Sequence, residues 1–233
     1  MPTLSITWFG HSTFLVGTPG GKRLLFDPWL AGNPACPEAL KKPPQADAIL
    51  ISHGHFDHVD DAVICARSSG APVVASVELC EWLGRRGVAS TLLMNKGGAL
   101  EVAGLRVTMT DARHSSGYVE DGRMVYLGEA AGFVVRLEDG RHIYYAGDTC
   151  LFGDMRLIGD RYKPEIAFLP IGDRFTMDPV AAAKACEMLG VRQVVPMHWG
   201  TFPLLTGTPA ALKALVEPKG IEVLDLAPGE TAR

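Results

Sequence analysis

The 233-residue sequence contains no apolar run near the roughly 20 residues needed to cross a bilayer. Its first ten residues show no basic segment followed by an apolar core, so no secretory leader is expected there. Cysteine is sparse. Cys36, Cys65, Cys80, Cys150 and Cys186 are scattered, odd in number and without CxxC spacing, which argues against a disulfide framework and against a zinc ribbon. A basic excess is also missing: 22 Lys and Arg stand against 26 Asp and Glu, for a formal net charge of −4. A nucleic-acid surface built on bulk positive charge is therefore not expected, although a local basic groove remains open. Short-period repeats and low-complexity segments are lacking too. These absences give the expectation of a cytoplasmic protein without a membrane partner, formed as one domain over residues 1–233.

What is present is ordinary for a packed protein, with 47% hydrophobic and 21% charged residues. Alternating or short apolar runs predict strands at residues 4–9, 13–16, 24–26, 48–51 and 72–75. The run 48–51 is almost wholly apolar, as suits a strand buried on both faces. Helices are predicted over 60–69 and 77–86, each followed by a glycine, Gly70 and Gly87. Strands return at 100–102, 105–110, 133–137 and 142–146, with Asp139-Gly140 as a hairpin signal between the last two. The final third alternates: strand 166–170, a helix capped by Asp178 with Pro179 in its first turn, strand 191–196, a helix from Thr208-Pro209 to about residue 217, and strand 221–226. The pattern predicts sheets packed on each other with helices outside, rather than a doubly wound sheet.

The most informative stretch is Ser52-His53-Gly54-His55-Phe56-Asp57-His58. Four ligand-type side chains fall within six residues, directly after the buried strand. In extended backbone His53, His55 and Asp57 share a face, and His58 turns inward as the chain bends into the next helix. One tetrahedral ion does not easily take four donors so close in sequence, whereas two neighbouring ions can share them.

This HxHxDH pattern resembles the signature of the metallo-β-lactamase superfamily, and later segments fall in the superfamily's order: Ala112-Arg113-His114-Ser115-Ser116, Ala146-Gly147-Asp148-Thr149 and Pro196-Met197-His198-Trp199-Gly200, each after a strand. Gly10-His11-Ser12, Asp27-Pro28 and Gly200-Thr201-Phe202-Pro203 resemble further signatures of its small metal-dependent hydrolases, near the ascorbate-6-phosphate lactonase group. The resemblance implies a four-layer αββα sandwich of two mixed sheets flanked by helices. It implies one ion on His53, His55 and His114, a second on Asp57, His58 and His198, and Asp148 bridging both, with Asp57 and His198 also candidate catalytic residues. Zinc is the first choice of metal, and manganese, iron or nickel are alternatives. The expected reaction is hydrolysis of a small lactone or phosphate ester by a hydroxide held between the ions. A homo-oligomer is a further expectation of the resemblance.

Around this set, His11 is expected behind the metals or against substrate, and Asp27 is expected to steady the histidine loop by accepting backbone N–H bonds. His142 is expected to face solvent and to ligate nothing. Cys150 is expected to be buried and inert. Asp173-Arg174 stands where a more glycine-like pattern is expected, and Met177, Trp199 and Phe202 are candidates for either pocket lining or core. Competing readings are a nuclease or cyclic-nucleotide phosphodiesterase, an oxygen-reducing redox protein and a non-catalytic metal binder. The redox members of the superfamily carry glutamate where this chain has His55, and many true β-lactamases of it carry cysteine where this chain has Asp148.

Overall fold

The computed structural model describes residues 3–233. The chain opens with strands β1 (Ser5–Trp8), β2 (Phe14–Gly17), β3 (Arg23–Phe26) and β4 (Ala48–Leu50), then a single helical turn α1 (Phe56–Val59), α2 (Ala62–Ser69), β5 (Val73–Ser76), α3 (Val77–Arg85) and β6 (Thr91–Met94). There follow β7 (Ala99–Val102), β8 (Leu105–Asp111), a hairpin of β9 (Gly117–Glu120) and β10 (Arg123–Tyr126), β11 (Ala131–Arg136) and β12 (His142–Tyr145). The last third is α4 (Met155–Tyr162), β13 (Ile166–Pro170), α5 (Pro179–Leu189), β14 (Gln193–Met197), α6 (Pro209–Val216), β15 (Glu222–Val223) and β16 (Thr231–Ala232).

Two seven-stranded sheets result, ordered β16-β1-β2-β3-β4-β5-β6 and β15-β14-β13-β12-β11-β8-β7. Each is mixed. In the first, β1 to β3 pair antiparallel and β3 to β6 parallel. In the second, β7, β8, β11 and β12 pair antiparallel and β12 to β15 parallel. The period-2 alternation of strand side chains separates two cores. Leu24 and Phe26 of β3, Leu50 of β4 and Val74 of β5 face the second sheet and pack with Phe133, Tyr145 and Phe168. Leu25, Ile49, Ile51, Val73 and Ala75 point the other way, onto α2 and α3. The second sheet's outer face carries α5 and α6 through Ala182, Ala185 and Leu212. This is the expected helix–sheet–sheet–helix sandwich.

The helix caps are those the sequence encodes. Asp178 accepts the Ala181 amide (2.7 Å) and Thr208 accepts the Ala211 amide (3.2 Å), each with proline in the first turn. Other elements depart from expectation. The helix expected over 60–69 begins only at Ala62, because the Asp61 carboxylate accepts the amides of Leu30 (2.5 Å) and Ala31 (3.0 Å) and ties this turn to the loop after β3. Helix α4 is hidden in sequence by Gly159 in its middle. A side chain at that position would meet the carbonyls of Met188 and Leu189 at 2.6 and 2.7 Å, so the glycine is what lets α4 lie against the end of α5.

Gly172, after β13, is as constrained, since a Cβ there would collide with the carbonyl oxygen of His198. Neither group is a flexible side-chain end, so the backbone has to move. Gly172→Ala is expected to destabilise the protein by more than about 2 kcal/mol in urea unfolding, while Gly153→Ala, where a Cβ meets nothing within 4 Å, stays within about 0.5 kcal/mol.

Candidate metal centre

Both sheets deliver their chemistry at the carboxyl ends of strands, where open α/β sheets place their ligands. His11 follows β1, Asp27 follows β3, His53 and His55 follow β4, His114 follows β8, Asp148 follows β12 and His198 follows β14. Asp57 and His58 lie in α1, whose N-cap position is His55. His11, Asp27 and His198 have φ of 57°, 44° and 55°. Non-glycine residues rarely adopt this left-handed backbone, and three of them turn the strand ends back over one spot.

Two groups of donor atoms form there. His53 Nε2 and His55 Nδ1 are 3.0 Å apart, and His114 Nε2 is 3.3 Å from His55 Nδ1. A tetrahedral ion with bonds of ~2.05 Å has donor–donor edges of ~3.3 Å, so both separations are near those of one ion's ligands. His11, Asp57, His58 and His198 form a second group, with donor atoms all within 4.8 Å of one another. Asp148 lies between them: its Oδ2 is 3.9 Å from His53 Nε2 and 3.6 Å from His114 Nε2, 3.4 Å from His58 Nε2 and 3.0 Å from His198 Nε2. His58 Nε2 and Asp148 Oδ1, both facing the donor cluster, are buried without a hydrogen-bond partner. Such atoms each cost about 1–3 kcal/mol unless something binds them, and a cation satisfies bare imidazole nitrogens and carboxylate oxygens together. The residues present therefore fit divalent ions.

Asp27 is the buried anchor behind the first ligands. Its Oδ1 accepts the Ser52 amide (2.7 Å), and its Oδ2 accepts the Ser52 hydroxyl (2.6 Å), His58 Nδ1–H (2.7 Å) and the Tyr145 hydroxyl (2.8 Å). His53 Nδ1–H in turn donates to Ser52 Oγ (2.9 Å). With Nδ1 committed to these bonds, Nε2 of His53 and of His58 faces the donor cluster. Asp27, His53 and His58 also lie close enough to hold an ion by themselves, but these bonds already occupy the Asp27 carboxylate. His11 is fully buried; its Nδ1 faces Thr201 Oγ1 (2.9 Å) and its Nε2 faces Asp57 Oδ2 (3.0 Å). It thus sits within the second donor group, behind the cleft rather than against substrate.

Burial dominates the protonation of most of these imidazoles. It holds His53 well below its ordinary value, brings His11 and His55 down to about 4 and lowers His114, with neighbouring histidines adding to the effect. Burial acts the same way on His58, but Asp148, Asp27 and Asp57 outweigh it and raise His58 well above the usual range. For the carboxylates burial pushes upward and is overcome: His58 and the His11 hydrogen bond hold Asp57, and His198 and His58 hold Asp148, well below ordinary values.

The donors floor a cleft of about 630 Å³, walled by Phe56, Tyr118, Val119, Met124, Phe175 and Phe202. A cleft of about 680 Å³ lies at the amino ends of β13 and β14, remote from the donors and lined by charged side chains such as Arg156, Lys163 and Glu187. Of the residues left open by sequence, Phe202 lines the donor cleft, Met177 is buried in the core and Trp199 stacks on Trp8 (5.3 Å). His142 is half-buried in β12, and its ring lies 6.4 Å from that of Tyr162. Cys150 corrects an expectation. It is exposed, because the loop after Asp148 runs outward past Arg113 rather than into the core. Asp173 and Arg174 adopt φ of 65° and 57°, the conformation a glycine-like pattern would relax, and they present Phe175 to the cleft. Sequence reasoning missed Tyr145, which reads as one more apolar strand residue, and the β9–β10 wall, whose residues carry no chemical signature. Thr201 stood in a quoted motif, but its partner His11 is 190 positions away.

Fold and donor arrangement together define a metal-dependent hydrolase of the β-lactamase superfamily, and the comparisons agree. The profile of a family described as "Beta-lactamase superfamily domain" matches residues 22–199. The chain belongs to that superfamily, within the group named UPF0173 metal-dependent hydrolase. Relatives of that name from Rubrobacter xylanophilus and Solibacter usitatus are each 51% identical; the first match covers 94% of this chain and 90% of the relative, the second 97% and 98%. Among solved structures, Igni18, a metallo hydrolase from Ignicoccus hospitalis, superposes with a TM-score of 0.87 at 36% identity, over 98% of this chain and 97% of that one.

Two outcomes follow from the anchor and from the protonation states. Asp27→Asn turns a four-bond acceptor partly into a donor. It is expected to weaken divalent-metal binding about 10- to 100-fold in competition with a chromophoric chelator. His11 and His55 have folded pKa values near 4 against 6.5 for the unfolded chain, so the unfolded state takes up protons first as pH falls. Their stabilisation is complete above pH 6.5 and is lost between 6.5 and about 4. His58, shifted upward, contributes below 6.5 and loses its contribution as pH rises through its folded value. Urea titrations of chelator-treated protein are expected to show stability falling steadily from pH 6.5 to 4.

Proposed function

We propose that the chain holds two divalent ions, zinc as the first choice, and uses them to hydrolyse an ester or lactone bond in a small molecule. One ion rests on His53, His55 and His114, the other on Asp57, His58 and His198 with His11 beside them, and Asp148 joins both. The observation that carries this reading is Asp148 Oδ2, set 3.0–3.9 Å from donor nitrogens of both groups at the floor of the cleft. Ions bound there would supply Lewis acidity, polarising a substrate oxygen and bringing water toward deprotonation near neutral pH.

The chain's own residues do the rest. Asp57 and His198, the candidate catalytic residues, both line the cleft. Held far below its ordinary pKa, Asp57 stays an anion, so it orients water as an acceptor and is a poor general acid. The His11 contact fixes its Oδ2. In the reaction the oxygen of water joins the carbonyl carbon, the bond from that carbon to the alkoxy oxygen breaks, the leaving oxygen takes a proton from water and the acid product releases the other. Phosphate esters would engage the same donors. However, the cleft lining includes no lysine or arginine to meet a phosphate, which favours the carbonyl substrate.

The test is exhaustive chelation followed by add-back of zinc, manganese, iron(II) or nickel on a panel of esters, lactones and phosphodiesters. Activity is expected to vanish on chelation and to return with at least one ion. Asp148→Ala and His58→Ala are each expected to lose about a thousandfold in kcat/KM. Full turnover by rigorously metal-free protein would overturn the proposal.

A further inference from the structure

The wall of the donor cleft is unlike the rest of the surface. Of the eleven large apolar side chains exposed among the described residues, Phe56, Val119, Met124 and Phe175 all stand around this one opening, at 50%, 58%, 69% and 52% exposure. Half-buried Tyr118 and Phe202 complete the ring. Scattered exposed apolar residues need no explanation, but a contiguous patch around a polar floor marks a binding surface. The charges that line the cleft are those of its donor floor, Asp57, Asp148 and the histidines.

The wall is also held in place. The β9–β10 hairpin pairs with neither large sheet. It is pinned along β9: Trp82 Nε1–H donates to Glu120, Arg86 pairs with Glu120 and lies 3.6 Å over the Trp82 ring, and the Tyr118 hydroxyl donates to Asp60 (2.8 Å). Across the opening, Phe56 and Phe202 pack against Trp29, with ring centroids 5.6 and 5.9 Å away. Two fixed apolar walls therefore face each other above the donor atoms.

We infer that this cleft selects an uncharged substrate whose hydrolysable carbonyl is flanked by a hydrophobic chain or ring, with Val119, Met124, Phe56 and Phe175 as the specificity-determining contacts. The inference deepens the proposed ester and lactone hydrolysis and rests on it for the reacting bond. The apolar wall opens directly onto the donors, so a bound acyl group places its carbonyl over His55, Asp57 and His198 while its chain lies between the hairpin and the phenylalanines.

The experiment measures two things on metal-loaded protein. One is kcat/KM for p-nitrophenyl acetate, butyrate and hexanoate, with bis(p-nitrophenyl) phosphate as the charged comparison. The other is calorimetric affinity for the products acetate and hexanoate. Each buried methylene is worth about fourfold, so hexanoate is expected to exceed acetate by at least tenfold in both. In Met124→Ser and in Phe175→Ser, each at an exposed position, that ratio is expected to fall at least threefold. Esters cleaved with no chain-length preference, ratios unmoved in both variants, or faster cleavage of the phosphodiester would overturn the inference and leave the metal-hydrolase reading in place. A tenfold affinity gain with no ester cleaved would support the apolar wall and overturn ester hydrolysis instead.

Discussion

The site depends first on one buried carboxylate. Asp27 ends β3 of the first sheet in a left-handed turn, and its side chain is wholly enclosed. An ionised carboxylate in that position is tolerable only if its lone pairs are filled. Four short hydrogen bonds fill them, and they come from three parts of the architecture. The Ser52 bonds fix the end of β4, where the histidine motif begins. The His58 bond fixes the helical turn α1, and the Tyr145 bond reaches across to β12 of the second sheet. The same contact that closes the two sheets on each other thus sets the ring orientation of His58 and, through Ser52, of His53.

That arrangement explains why the donor set sits where the two sheets meet. Each group draws on both halves of the chain: His114 joins the β4 loop on one side, and His198 joins α1 on the other. Asp148, from the end of β12, stands between them. No single loop could supply both groups with such spacing. The sandwich supplies it by bringing six strand ends to one edge, and the left-handed turns at His11, Asp27 and His198 bend those ends inward. Conformational strain of this kind persists where the surrounding structure over-determines it, and here hydrogen bonds from both sheets do so.

Much of this was legible in the sequence, for identifiable reasons. His53, His55, Asp57 and His58 are visible because their relation is local, and local spacing translates directly into shared faces. His114, Asp148 and His198 are individually uninformative and became candidates only through the superfamily resemblance, in whose order they fall. The two-sheet sandwich followed from the alternation of short strands with capped helices. What escaped notice depends on contacts distant in sequence. Tyr145 looks like core until its hydroxyl is seen against Asp27, 118 residues earlier. Helix α4 carries a glycine that weakens its local signal, and only the approach of α5 explains it. Cys150 follows a buried aspartate by two positions, yet it faces solvent because a loop, unlike a strand, imposes no periodicity. The hairpin wall lacked any motif, since apolar recognition needs shape rather than particular residue types.

Protonation gives the last constraint. An imidazole binds a metal only in its neutral form, and burial favours that form in His53, His55, His11 and His114. His58 is the exception, because three carboxylates surround it. A cation held at the second group would compete with the His58 proton for those carboxylates, so Nε2 would be free to bind it while Nδ1–H stays on Asp27. The cleft lining adds no lysine or arginine to this floor, so the side chains left to contact the rest of a substrate are those of the apolar wall. On the reading proposed above, recognition would fall to that wall and reaction to the donors beneath it.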